Sequence, residues 1–262
     1  MIGPLALLGL VLAGASLLMV LVWLVQRVRG DAGIVDLAWA GGIAASAIVA
    51  ALLGEGEAGR RALVGAMGGA WGFRLALHLW RRSRGRSEDG RYQDLRRRFG
   101  ARVQAFFFWF FQFQAVAIAI FAAPMVLAMR RPGGALTVWD ALGAVIWLVA
   151  VGGEALADAQ LDRFRRDPAN HGRTCRAGLW RYSRHPNYFF EWLHWFAYVP
   201  IGIAAPWGAM TLMGPALMLF FLYRVTGIPL TEQRAIASRG EDYRRYQRET
   251  SAFIPWFPRS PS

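Results

Sequence analysis

Seven stretches of the chain, near residues 5–26, 33–54, 62–80, 103–129, 138–161, 188–204 and 206–223, run with few charges and many Leu, Ile, Val, Ala, Phe and Trp residues. A helix needs about 17 to 25 such residues to cross a ~30 Å hydrocarbon layer, where each backbone polar group must be satisfied within the segment. The pattern predicts an all-α, polytopic membrane protein with seven transmembrane helices in a single domain over residues 1–262. The first stretch lacks the basic leader and small-residue cleavage site of a signal peptide, and more spans follow it. It is read as a retained helix.

Charge placement orients these spans. All 30 basic residues are Arg; 25 of them fall after the first and third spans, between the fifth and sixth, and in the tail. The alternate connections hold only Arg60, Arg61, Arg130 and Arg131. Basic residues in short loops prefer the cytoplasmic side, so the N-terminus is expected outside and the C-terminus in the cytoplasm. The tail after Arg224 is amphipathic and aromatic, and is expected to lie along the cytoplasmic interface and fold back on the bundle.

The composition, 55% apolar with 12 Trp, is too apolar for an ordinary soluble domain. The net charge of +13 then fits anionic headgroups beside the loops. No RNA-binding motif accompanies it, and nucleic acid is not an expected partner. Cys175 stands alone, which excludes an internal disulfide or a CxxC site. The four His residues show neither HxxH nor HExxH spacing, so no metal site is expected. Gly65, Gly68, Gly69 and Gly72 lie within an apolar span with no strand before them. Close helix packing explains them better than a dinucleotide fingerprint.

Ionisable residues inside spans are costly and point to function by default. Asp36 lies one turn into the second span, His78 near the cytoplasmic end of the third with Arg74 one turn deeper. The fifth span descends to Glu154, Asp158, Gln160 and Asp162, and the sixth opens with Asn187, Glu191 and His194. All fall at one depth, as a cavity open to the cytosol requires. In "RYSRHPNYFFEW" (181–192) a loop with Tyr182 and Arg184 meets a proline-started helix. Asn187, Glu191 and the pair His194 and Trp195 then share one helical stripe. A helix start with free N–H groups, beside Arg forks, suits an anionic group.

"GLWRYSRHPNYFFEWLHW" resembles the signature of the membrane-bound steroid 5α-reductase family, especially its bacterial members, and more distantly that of the sterol C14 reductases. "GIVDLAWA" (33–40), "EDGRYQDLR" (88–96), "ADAQLDRF" (157–164) and "GEDYRRYQRETSAFIPW" (240–256) extend the resemblance over most of the chain. It implies a seven-span enzyme of the bacterial inner membrane that takes NADPH from the cytosol and reduces the C4–C5 double bond of a 3-oxo-Δ4-steroid. The substrate, a steroid or sterol-like enone, would enter from the bilayer, and the protein would act as a monomer among membrane lipids. Loops 81–102 and 162–187 with the tail 224–262 would form the cofactor cap.

The resemblance assigns cofactor contacts to Tyr182, Asn187, Glu191 and Trp195. Arg184, Asp158, Tyr92 and Tyr243 are further candidate cofactor contacts, and Arg166, Arg173 and Arg176 of the cytoplasmic loops are the candidates for its phosphates. Asp36 and His78 would be the catalytic pair beside the carbonyl, Trp39 and Arg74 the substrate contacts. The match is imperfect: Phe190 stands where the family has Gly, and His78 where its mammalian members have the tyrosine acid. Hydride addition to an enone puts negative charge on the carbonyl oxygen, which calls for a donor there, and an Asp36–His78 pair would suit that task. The alternative is an S-adenosylmethionine-dependent membrane methyltransferase of the isoprenylcysteine or phospholipid type. Those proteins share the Arg-His-Pro segment and a late Glu with aromatic tail residues, here Glu232, Tyr243 and Tyr246. A lipid-binding or scaffold protein, with polar residues that only pair helices, is the non-catalytic reading.

Overall fold

The computed structural model describes residues 1–85, 87–225 and 227–259. Arg86 of the expected cap loop, and Thr226 and residues 260–262 of the tail, lie outside the described residues. The chain is all-helical: the described residues contain no strand beyond an isolated bridge between Ile2 and Gly54. Among the described residues, five stretches are long and apolar enough to cross a membrane, Pro4–Arg29, Ile34–Leu53, Gly90–Met129, Val138–Arg166 and Gly208–Arg239. The third apolar window forms a long helix too, but one that carries Arg60, Arg61, Arg74, His78, Arg81 and Arg82. The sixth breaks after 11 residues.

Two compact units divide the chain. The first comprises Met1–Asp140 and Ile201–Thr211, the second Ala141–Pro200 and Leu212–Ser262.

In the first unit, α1 (Pro4–Arg29) starts on a proline, whose missing N–H costs nothing there, and stops at Gly30 in the left-handed region, φ 70°. Leu7, Val11, Ala15, Met19, Val22 and Gln26 form its buried stripe at helical spacing. Leu5, Leu17 and Val28 point outward, as suits a lipid-facing surface. Helix α2 (Ile34–Leu53) packs on α3 (Ala58–Ser83), which is capped by Glu57 accepting from the N–H groups of Gly59 and Arg60. The glycines of α3 make this approach possible: a Cβ at Gly65 would lie 2.5 Å from Ala51 Cβ, one at Gly68 2.6 Å from Ala47 Cβ, and one at Gly72 2.8 Å from the Ala40 oxygen. Small residues that let backbones close up are what holds helices together where lipid offers no hydrophobic gain. Helix α4 (Gly90–Phe99), capped by Asp89, leads into α5 (Val103–Met129), whose Phe107, Phe111, Ile118 and Met125 fill the core.

The second unit holds most of α6 (Val138–Arg166), then α7 (Pro186–Phe196), the start of α8 (Tyr198–Gly202), α9 (Met213–Phe220), a π turn over 221–225, α10 (Ile228–Arg239) and α11 (Glu241–Glu249). The Phe190 ring lies against Gly153, where a Cβ would come within 2.4 Å of it. A glycine on α6 thus makes room for the bulky residue on α7. Trp180 Nε1 donates to the Ala157 carbonyl at 2.9 Å and Gln160 accepts from Leu179 N at 2.9 Å, which docks the loop before α7 onto α6. Ala235, Tyr243 and Tyr246 form the small core of α10 and α11.

Candidate functional site

The Arg-His-Pro loop of the second unit is held by a brace that sequence reading identified only in part. Glu232 on α10 accepts from Arg184 Nε at 2.7 Å and from Gln247 Nε2 at 2.9 Å, and lies 3.2 Å from His185 Nε2. Arg184 Nη1 also donates to the carbonyls of Gln247, 2.9 Å, and Thr250, 2.7 Å. Tyr243 reaches the same carboxylate at 3.5 Å, and Tyr246 donates to the carbonyls of Trp180 and Ser183. Arg184 and Tyr243, expected to contact a cofactor, are thereby drawn into holding the loop. Gln247 and Ser183 were missed, and Tyr246 was named only among the tail aromatics of the methyltransferase alternative. The signal for them was weak, since each lies far along the chain from its partner.

Electrostatics follows from this packing. Burial, with Glu232 beside it, pushes the Tyr243 hydroxyl well up, and burial does the same for Tyr246, so both remain neutral donors. Burial, joined by Arg184, outweighs the hydrogen bond to Glu232 and lowers the His185 imidazole below its ordinary value. Neutral His185 stacks flat on Tyr188, 5.3 Å between centroids.

In the first turn of α7, Asn187 Nδ2 donates to Asp158 Oδ1 of α6 at 3.2 Å, while its Oδ1 accepts from the Tyr188 N–H at 3.0 Å. Two residues singled out from separate stretches are thus brought together. Glu191, His194 and Trp195 are buried on the same stripe, which the structure extends to Tyr198: His194 Nε2 lies 3.0 Å from the Tyr198 hydroxyl. Tyr182 is half-buried, its carbonyl accepting from Trp256 N. Arg166 and Arg173 are exposed, with charge available to a ligand at the surface.

A second polar layer lies at the end of the first unit where α2 begins. Asp36 accepts from Arg91 Nη2 at 2.8 Å and from the Tyr92 hydroxyl at 2.9 Å. Tyr92, expected near a cofactor, is a buried partner of the candidate catalytic carboxylate. Behind it Glu88 accepts from Ala32 N, 2.6 Å, and Arg96, and Gln26 donates to Gln104 at 2.7 Å. Gln26 was readable as an isolated polar residue on the buried stripe of α1. Trp39 meets Phe121 edge to face at 5.6 Å; Arg74 and His78 are half-buried on α3. The opposite end of the unit carries a different feature, in which fully buried Arg60 pairs with Asp140 at 2.8 Å and donates to the carbonyls of Arg131 and Ala135. Among the described residues no group of three or more His, Cys, Asp or Glu side chains could hold a metal ion.

Comparison with known proteins finds one curated relative, an uncharacterised protein of Schizosaccharomyces pombe, 29% identical over 181 residues. The alignment covers 58% of this chain and 52% of the relative, so the chain spans about half the length of the protein it matches. No solved structure matches. Residues 22–250, which include both polar layers, match a family described as "Protein of unknown function (DUF1295)". A match of that extent shows that the chain belongs to this family.

Proposed function

We propose that this chain is a multi-pass membrane reductase that uses NADPH to saturate the C4–C5 double bond of a 3-oxo-Δ4-steroid or a similar flat enone. In this reading seven helical segments cross the bacterial inner membrane, with the N-terminus outside, the C-terminus in the cytoplasm and the basic loops beside the cytosol. The observation that carries it is the Asn187–Asp158 pair at the proline-started end of α7. An amide beside a carboxylate offers both donor and acceptor groups, which suits a carboxamide or the hydroxyls of a ribose. Exposed Arg166 and Arg173 bring bidentate donors for phosphates, and buried Glu191 and Trp195 continue the wall inward. The cofactor, when bound, supplies the hydride.

The chain's own residues do the remaining work. Asp36 and His78 are assigned to the carbonyl end of the substrate, where negative charge develops. Arg91 and Tyr92 fix the Asp36 carboxylate in one orientation by donating to its two oxygens. Arg74 and Trp39 are assigned to substrate contacts.

The test is direct. Detergent-purified protein with NADPH and progesterone or testosterone should oxidise the nucleotide, followed at its nicotinamide absorbance, and yield a steroid heavier by two hydrogen atoms. Absence of turnover, together with stabilisation by S-adenosylmethionine and not by NADPH, would replace the reductase reading with the methyltransferase. A ligand that binds only the folded form raises the unfolding temperature, so both cofactors can be scored by thermal shift.

A further inference from the structure

The segment after α11 has two faces. Its backbone runs alongside the Arg-His-Pro loop: Arg184 N donates to the Ser251 carbonyl at 2.8 Å, Ser183 Oγ to the Phe253 carbonyl at 2.7 Å, and Trp256 N to the Tyr182 carbonyl at 2.9 Å. Phe253 turns inward, 4% exposed. Ile254, Trp256 and Phe257 turn outward, 58%, 69% and 76% exposed. A pinned backbone that presents three large apolar side chains to the outside is a surface prepared for a partner, because no ordering remains to be done on contact.

Position identifies the partner. The Phe253 ring lies 5.4 Å from that of Tyr223, in the π turn that ends the apolar run of the last candidate span. The outward aromatics therefore emerge at the level where that apolar stretch gives way to polar chain. Trp and other aromatic residues collect at that boundary, with apolar rings toward the acyl chains and polar edges toward the headgroups. Arg181, Arg224 and Arg259, all exposed in the same unit, supply the matching positive charge. Each basic residue near an anionic leaflet adds favourable attraction that decays within a Debye length.

We propose that Ile254, Trp256 and Phe257 form a membrane-surface anchor that inserts into the headgroup–acyl boundary of an anionic leaflet and holds the Arg-His-Pro loop at that boundary through the hydrogen bonds that join residues 182–184 to residues 251–256. The occupant is the lipid surface of the protein's own bilayer.

The full chain, with Cys175→Ala and a spin label introduced at Phe257→Cys, is reconstituted in phosphatidylcholine vesicles containing a quarter phosphatidylglycerol. Power saturation then compares access of oxygen, which partitions into lipid, with access of a water-soluble nickel chelate. The proposal expects greater access for oxygen at 257, and at Ile254→Cys, with the reverse at a label on exposed Glu241→Cys. Greater access for the nickel chelate at both 254 and 257, in protein that retains its helical circular dichroism, would overturn it. In a second measurement Trp256→Ala is combined with Phe257→Ala, and both anchored and altered proteins are digested with carboxypeptidase in the same vesicles. The anchored chain should resist trimming several-fold longer than the double variant; equal trimming rates would equally overturn the proposal.

Discussion

Arg184 Nε donates to Glu232 Oε1 across 2.7 Å, and the two side chains are only 11% and 15% exposed. The pair joins the loop before α7 to α10, and it explains why the tail folds back on that loop. Removal of one partner from a buried pair leaves an uncompensated charge and costs about 3–5 kcal/mol. Glu232→Ala is therefore expected to unfold at a clearly lower temperature than the parent, with Glu232→Gln intermediate. Circular dichroism melting in detergent checks this; an unchanged melting temperature in Glu232→Ala would refute the brace.

His185 makes stability depend on pH. Its imidazole pKa is lowered in the folded chain by burial, so the unfolded chain binds the proton more tightly. Below the ordinary histidine range, near pH 6.5, the unfolded state gains protons first, and stability falls as pH drops from there toward the folded value. Glu232, Arg184 and the Tyr188 ring face the imidazole. The parent protein should lose more melting temperature between pH 7.5 and 5.5 than His185→Gln, measured in parallel.

Gly72 lies where a Cβ would meet the Ala40 oxygen at 2.8 Å and Ala44 Cβ at 2.9 Å. Both are backbone or backbone-adjacent atoms that cannot swing away. Gly72→Val should force α2 and α3 apart at a cost of about 1–3 kcal/mol or more, seen as lower monodisperse yield and a lower melting temperature. Gly41→Ala, on α2 with nothing within 4 Å of the added carbon, serves as the neutral control.

Arg60 and Asp140 are buried at the end of the first unit opposite Asp36. Asp140→Ala should destabilise by about 3–5 kcal/mol, whereas the joint Arg60→Met and Asp140→Leu replacement should recover much of that loss. Because the pair takes no part in the proposed chemistry, specific turnover per folded molecule should remain near the parent value in the double variant.

Tyr92 and Asp36 sit on the functional side of the proposal. Tyr92→Phe removes the hydroxyl that donates to Asp36 at 2.9 Å and keeps the ring that packs near Phe107. With Tyr92 holding Asp36 in place for the carbonyl end, kcat should fall by about 10²-fold, the scale of a misplaced catalytic group, while NADPH still raises the melting temperature. Equal loss of stability and of turnover would instead mark the pair as structural.

The sequence by itself determined the helical class, the apolar stretches and most of their ends. Apolar length, the proline at each of two helix starts and the glycine after α1 act locally, so a window of residues suffices to read them. It also placed the polar stripe of α7, because helical spacing alone puts Asn187, Glu191 and Trp195 on one face. Tertiary structure decided what each polar group touches. Arg184 meets Glu232 across 48 positions and Tyr92 meets Asp36 across 56, separations that no local periodicity encodes. It also decided that Arg184 and Tyr243 brace a loop and that Phe190 fits because Gly153 faces it. Apolar burial is a property of each segment, whereas a hydrogen bond needs two particular groups within about 3 Å, and only the folded chain brings those groups together.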